Sequence, residues 1–205
     1  PNPVGGISFA ANAYGDRCPL GKKYPECDLA CANAVEDIIK TSTSGHPAAL
    51  IAETIQGNAG IVTPPPGYFQ RLREILDASH TLLIIDEVQT GFARTGKMFA
   101  IENYGVVPDI MSMAKALGNG APISAFIAAA EIADTYTKPG ASTLGGNPVS
   151  STAGRAVLDY IAGHHLAENA KERGEQLAAG LRQLQPRHPV IGDIRGIGLM
   201  RGAEI

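Results

Sequence analysis

Residues 82 to 96, LLIIDEVQTGFARTG, decide the fold of this protein. Four consecutive apolar residues predict a buried strand, which ends at two acids, Asp86 and Glu87, before a turn that contains glycine. In an open parallel sheet, ligands bind beyond the carboxyl ends of the strands, so polar residues at this point have functional weight. Taken alone, a strand-end acid is also consistent with an ordinary capping or loop residue.

Outward from this stretch, strand-like and helix-like segments alternate with short connections. Residues 1–27 are irregular, and apolar periodicity predicts helices over 29–40, 68–79, 147–161 and 165–184. Apolar runs predict buried strands over 48–52, 81–85, 110–113 and 123–129, and the glycine-rich residues 190–205 are also strand-like. This order predicts an α/β fold with a mostly parallel sheet flanked by helices. We expect a large domain over residues 1–162 and the start of a small α+β domain over 163–205.

The composition excludes several classes of protein. With 205 residues, 44% of them hydrophobic and 18% charged, the chain can bury a core and lacks the charge excess of disordered proteins. A net charge of -3 with scattered Lys and Arg argues against binding to nucleic acid or to an anionic membrane. No apolar run reaches the roughly 18 residues of a membrane span, and no signal-peptide pattern opens the chain. A location in the cytoplasm, or in an organelle matrix such as that of mitochondria, is therefore expected.

A second functional candidate lies in MSMAKALGNGAP, residues 111 to 122. Lys115 follows an apolar strand and precedes a glycine-rich turn, in a neighbourhood with few charges. Burial lowers the pKa of an ammonium group, and a deprotonated amine can condense with an aldehyde. Taken alone, a lysine at a strand end is also consistent with a surface residue whose stem covers apolar neighbours.

Together, Lys115 and Asp86 have the chemistry that pyridoxal phosphate requires. The cofactor needs a lysine for its Schiff base and an acid that keeps the pyridine nitrogen protonated, so that the ring accepts electrons. A positively charged ring beside Asp86 would also explain how a buried carboxylate is tolerated.

Three motifs in order carry a resemblance to a known family: IIDEVQTGFARTG, PDIMSMAKALGNG and STLGGNP. They resemble those of the class III (ω-) aminotransferases, which are fold-type I pyridoxal-phosphate enzymes. The similarity continues through IAETIQGNAGIVTPPPGYFQRLREI upstream and IRGIGLMRGAEI downstream, and covers most of the chain from about residue 25. The motif sequences are most similar to those of the alanine-glyoxylate aminotransferase 2 and 4-aminobutyrate aminotransferase branches.

The resemblance implies roles for individual residues around the cofactor. Lys115 matches the lysine that carries the cofactor, and Asp86 matches the partner of the pyridine nitrogen. Val88 would pack on one face of the ring, and Gln89 would reach its hydroxyl group. Catalysis would then rest on Lys115 and Asp86.

Two further residues match family motifs. Glu53 corresponds to the glutamate of Glu-Pro-Ile/Val-Gln-Gly, which lies near the substrate, although Thr54 stands here in place of the usual proline. Thr143 corresponds to the hydroxyl residue that binds the cofactor phosphate of the neighbouring subunit. The resemblance therefore implies a homodimer.

The implied reaction is a ping-pong transamination. An amino acid or ω-amine would give its amino group to the enzyme, and a keto acid such as pyruvate, glyoxylate or 2-oxoglutarate would accept it. Two alternatives stay open: a pyridoxal-phosphate lyase that acts on a phosphorylated amine, and a catalytically incomplete remnant. Because the sequence does not begin with Met and matches only the middle of the family pattern, we expect a partial chain.

Several other features are expected to be structural. RGIGLMRG has the wrong spacing for a dinucleotide loop, so its glycines are expected to form a bend. Arg94 and Asp109 match the family pattern without needing a catalytic role. The histidines show no ligand spacing and are expected to be solvated, and the cysteines match no usual zinc pattern and are expected as reduced thiols, so no metal site is predicted.

Overall fold

A computed structural model describes residues 5–15 and 17–205; predictions for residues 1–4 and 16 lie outside the described residues. The described helices are α1 (Ala30–Ser42), α2 (Tyr68–Ala78), α3 (Ala130–Ala133), α4 (Pro148–Gly163) and α5 (Leu166–Leu184). The strands are β1 (Ala49–Glu53), β2 (Leu82–Asp86), β3 (Ile110–Met113), β4 (Ala125–Ala128), β5 (Ile194–Ile197) and β6 (Met200–Ala203). The predicted elements are confirmed with small shifts at their ends, and α3 is an addition that periodicity did not indicate.

The main sheet has the strand order β1-β2-β3-β4. The pairs β1 with β2 and β2 with β3 are parallel, whereas β3 and β4 are antiparallel. The predicted α/β fold with a mostly parallel sheet is therefore confirmed. Because β1, β2 and β3 run in the same direction, their carboxyl ends lie at one edge of the sheet.

Apolar side chains pack in two clusters. The larger cluster joins α1 and α2 to β2, and its fully buried members include Phe69, Leu72 and Leu83. The smaller cluster joins β3 to α4 through Met113 and Ile161. Helix α4 has Pro148 in its first turn, and Asn147 caps it by accepting the N–H of Ser150.

One strand differs from its sequence prediction. The apolar run over 123–129 indicated a buried strand, but β4 is largely exposed, with Phe126 at 75% and Ile127 at 54% of their full accessibility. An apolar run reports the preference of the side chains for burial and does not specify which neighbours cover them. The prediction of burial was wrong for this strand.

The end of the chain forms a β-hairpin that packs against α5. Strands β5 and β6 pair antiparallel, and Gly198 at their turn has a left-handed φ of 55°. The N–H of Leu199 donates to the carbonyl of Arg94 at 2.9 Å, so the turn lies against the loop that follows β2. A Cβ on Gly174 of α5 would lie 1.9 Å from the carbonyl oxygen of Gly198. The glycines of RGIGLMRG therefore form a tight bend, as the sequence predicted.

Candidate active site

The carboxyl ends of three neighbouring strands bring the main candidate residues to one edge of the sheet. Glu53 pairs in register with Asp86, and Asp86 pairs in register with Ser112. Lys115 follows Ser112 by three residues, at the start of a short 3-10 helix, Lys115–Leu117. Adjacent strands lie about 4.8 Å apart, so Glu53, Asp86 and the approach to Lys115 share a narrow strip of the edge.

Asp86 is half-buried at the last position of β2. Its Oδ1 accepts the N–H of Val88 at 2.9 Å, which fixes the carboxylate over its own turn. This contact uses one oxygen and leaves Oδ2 for a further donor beyond the strand end. Val88 and Gln89 are also half-buried and follow in the same turn.

Lys115 has a left-handed backbone with φ of 46°, which is uncommon for a residue other than glycine. Strained conformations of this kind persist where the surrounding structure imposes them, and they cluster at functional sites. The turn after it is tight, since a Cβ on Gly118 would lie 2.1 Å from the carbonyl oxygen of Ala121. The sequence suggested a buried lysine, but the side chain of Lys115 is exposed, so this chain alone does not remove it from water.

Glu53 is joined to the turn that follows β1. Its Oε2 accepts the N–H of Gly57 at 2.9 Å. Gly57 also borders Gln89 closely, because a Cβ at this position would lie 2.2 Å from Gln89 Oε1. Glu53, at the end of β1, and Gln89, in the turn after β2, therefore reach the same glycine.

Thr143 is the one predicted site residue that lies apart from this edge. It is exposed, in the irregular segment between α3 and α4. Within the described residues, the hydrogen bonds near it belong to its own loop, such as that from Gly145 N–H to Ser142 Oγ at 3.0 Å. The structure thus brings Glu53, Asp86, Val88, Gln89 and Lys115 together and leaves Thr143 outside the group.

The fully buried acid of the site is Glu87 rather than Asp86. Glu87 Oε1 accepts the hydroxyl of Thr54 at 3.1 Å and the N–H of Ile101 at 2.8 Å, and Oε2 accepts the hydroxyl of Thr90. No specific role was predicted for Glu87, and Asp86 was expected to be the buried carboxylate. Hydrophobic periodicity gave no sign of these contacts, and the only available signal was a second acid directly after the strand.

The residues present fit the expected cofactor at its ring nitrogen and its aldehyde. Asp86 Oδ2 can accept the proton of a pyridinium nitrogen, and Lys115 supplies a primary amine on the adjacent strand end. The exposed position of Lys115 leaves its amine accessible to an aldehyde from solvent. The donor set therefore suits pyridoxal phosphate.

The residues that were expected to have no catalytic role lie outside the candidate site or have structural contacts. Asp109 Oδ2 accepts Arg73 Nη1 at 2.7 Å and the N–H of Leu83 at 2.6 Å, which ties α2 to the start of β2. The histidines are exposed, as expected. Cys18, Cys27 and Cys31 have free thiols.

Within residues 5–15 and 17–205, no helix has the length and apolar character needed to cross a membrane.

Known sequences resemble this chain over most of its length. Residues 6–205 match the sequence family described as Aminotransferase class-III. A leucine/methionine racemase from Thermococcus litoralis is 45% identical over 92% of this chain and 43% of its own length. The mitochondrial alanine-glyoxylate aminotransferase 2 homolog 2 from Arabidopsis thaliana is 45% identical over 90% of this chain and 38% of its own length.

A solved structure shows the same likeness in three dimensions. It is an amine transaminase from an uncultivated Pseudomonas species, in a PLP-bound form. It is 35% identical with a TM-score of 0.89, and the match covers 95% of this chain and 46% of that one. The chain thus spans less than half the length of these relatives.

Proposed function

This chain belongs to the class III aminotransferases. We propose that it contains cofactor-binding residues of an enzyme that transfers an amino group to a 2-keto acid. The donor would be an amino acid or an ω-amine, and the acceptor pyruvate, glyoxylate or 2-oxoglutarate. The observation that carries the proposal is the position of Asp86 and Lys115 at adjacent parallel strand ends. The PLP-bound amine transaminase, at 35% identity, supports the choice of cofactor.

The chemistry follows from the groups on this edge. Pyridoxal phosphate, when bound, supplies a ring that accepts electrons from the substrate carbon. Lys115 Nζ would hold the cofactor and, as a free amine, would move a proton to and from the substrate carbon. Asp86 Oδ2 would keep the ring nitrogen protonated, because a carboxylate stabilises a positive charge beside it.

The remaining candidates orient the reactants. Val88 would pack on one face of the ring, and Gln89 would bind the ring hydroxyl. Glu53 lies on the substrate side, where its carboxylate is held by Gly57 N–H at 2.9 Å.

The protein would also form a homodimer of two-domain subunits. Thr143 lies outside the group of site residues, which supports a role at the phosphate of a neighbouring subunit in a homodimer. Residues 1–162 would form the large domain and 163–205 the start of the small one. The enzyme would act in the cytoplasm or an organelle matrix.

The test is cofactor binding by the protein and by the variants Lys115→Ala and Lys97→Ala, the second being a control lysine in an exposed loop. Pyridoxal phosphate is added, bound cofactor is followed by its absorption, and borohydride reduction is followed by mass spectrometry of peptides. We expect cofactor fixed on Lys115 in the wild type and in Lys97→Ala, and none in Lys115→Ala. Cofactor fixed at another lysine, or undiminished binding by Lys115→Ala, refutes the proposal.

A second measurement separates the reactions open to such a site. Transamination consumes a keto acid in proportion to the amine, whereas a lyase consumes none. A racemase, which is the name of the Thermococcus relative, inverts an amino acid. It consumes no keto acid and leaves the amino group in place. Incubation with single amino donors, with and without each keto acid, identifies the reaction, and cofactor binding without turnover identifies a catalytically incomplete chain.

A further inference from the structure

A fully buried hydrogen bond joins the two loops that follow β1 and β2. Thr54 and Glu87 are both 0% exposed, and Thr54 Oγ1 donates to Glu87 Oε1 at 3.1 Å. Thr54 directly follows Glu53, and Glu87 directly follows Asp86. The bond therefore connects the immediate neighbours of the substrate-side and cofactor-side carboxylates.

Glu87 is itself held from several directions. Its backbone N–H donates to the carbonyl of Ser112 at 2.9 Å, which ties it to β3. Its carboxyl group accepts the N–H of Ile101 at 2.8 Å and the hydroxyl of Thr90. A buried polar group with every partner in place is rigid, since losing one partner leaves an unsatisfied buried atom.

A second contact between the same loops runs parallel to the first. Gly57 N–H donates to Glu53 Oε2, and the Gly57 backbone lies against the side-chain amide of Gln89. This contact is half-buried and involves the movable end of a glutamine side chain. The Thr54 bond is the more rigid of the two.

We infer that Thr54 and Glu87 form a positioning pair that fixes Glu53 relative to Asp86, and so the substrate relative to the cofactor. This inference rests on the proposed function for its catalytic consequence. The family motif that this segment resembles has proline at position 54, which has no hydroxyl to donate. The pair therefore depends on a hydroxyl that the usual proline lacks, and Thr54 acts through its neighbours without contact with the reactants.

The test compares three variants. Thr54→Val removes the hydroxyl and keeps the shape, and Thr54→Ser restores a hydroxyl at the same place. Thr90→Val is the matched control, because Thr90 is equally buried and bonds the same carboxyl group but lies in the same turn as Glu87. It removes a partner of Glu87 without cutting the link to β1.

The first measurement needs no cofactor. Hydrogen exchange is followed by mass spectrometry in peptides that cover residues 53–57 and 86–89. We expect Thr54→Val to accelerate exchange in both peptides by about two- to twelvefold, the factor that one hydrogen bond contributes. Thr54→Ser should resemble the wild type, and Thr90→Val should accelerate only the 86–89 peptide. Acceleration across the whole chain, or in one of the two peptides only, overturns the pairing.

The second measurement reads the catalytic consequence. At saturating pyridoxal phosphate, kcat of Thr54→Val should fall by about two- to twelvefold, with rescue in Thr54→Ser. Thr90→Val should lower kcat less than Thr54→Val, because it keeps the link between the loops that follow β1 and β2. Unchanged kcat together with accelerated exchange reduces the pair to a structural role and overturns the inference. A wild type that binds no cofactor refutes the proposed function, while the exchange data still decide the pairing. If Thr54→Val does not fold, Thr54→Ala takes its place in both measurements.

Discussion

Gly174→Ala is expected to destabilise the protein, because Gly174 lies where α5 touches the terminal hairpin. The new Cβ would lie 1.9 Å from the carbonyl oxygen and 2.3 Å from the carbonyl carbon of Gly198. These are backbone atoms with no rotamer to change, so the hairpin must move by about 1.5 Å to reach an ordinary contact. Overpacking of this kind costs about 1–3 kcal/mol.

Gly180→Ala is the matched control on the same helix. Nothing lies within 4 Å of a Cβ at Gly180, so alanine should stabilise α5 by about 0.5–1 kcal/mol through its better helix propensity. The propensity gain is common to both variants, and subtraction therefore isolates the steric cost. We expect Gly174→Ala to be the less stable variant by about 1–3 kcal/mol in urea denaturation followed by circular dichroism. Equal free energies of unfolding would refute the close packing of α5 on the hairpin.

Two other predictions concern ionised groups. The hydrogen bond from Tyr14 lowers the pKa of Glu204 below its usual 4.5, so the stability it adds is present above that pH and lost as the pH falls through the lowered pKa. Glu204→Gln should therefore flatten the acid side of the curve of unfolding free energy against pH, and an unchanged curve contradicts this. Asp109→Asn should cost about 1–3 kcal/mol because its half-buried carboxylate pairs with Arg73 at 2.7 Å. Asp77→Asn, which breaks an exposed pair with the same Arg73, should cost under about 1 kcal/mol in urea denaturation, and equal losses would contradict the difference.

Local sequence patterns predicted the helices and strands of this fold, because each such element is determined largely by residues close together in the sequence. The period of α1 and α2 and the apolar runs of β1, β2 and β3 sufficed to place the strand ends where Asp86 and Lys115 lie. The predictions that failed concern burial, which depends on contacts between distant segments. The exposure of Lys115 and of β4 is set by which segments cover them, and no local pattern contains that information.

The role of Glu87 was missed for the same reason. Its partners Thr54 and Ile101 are 33 and 14 residues away along the chain, so their convergence is a property of the strand order. Two acids side by side look equivalent in a sequence. In the sheet, alternation turns one of them inward and leaves the other at the edge, which separates a structural carboxylate from a candidate catalytic one.

The strands of the main sheet lie side by side in the order of their synthesis, from β1 to β4. Among the described strands, β2, β3 and β4 can each add to an edge that an earlier one provides when they leave the ribosome, and none of the three has to be inserted between two of the others. Glu53 and Asp86 precede Lys115 along the chain, so both acids can take their places before the lysine is made. Vectorial synthesis thus allows the acidic half of this edge to be assembled first, with the amine as its last addition.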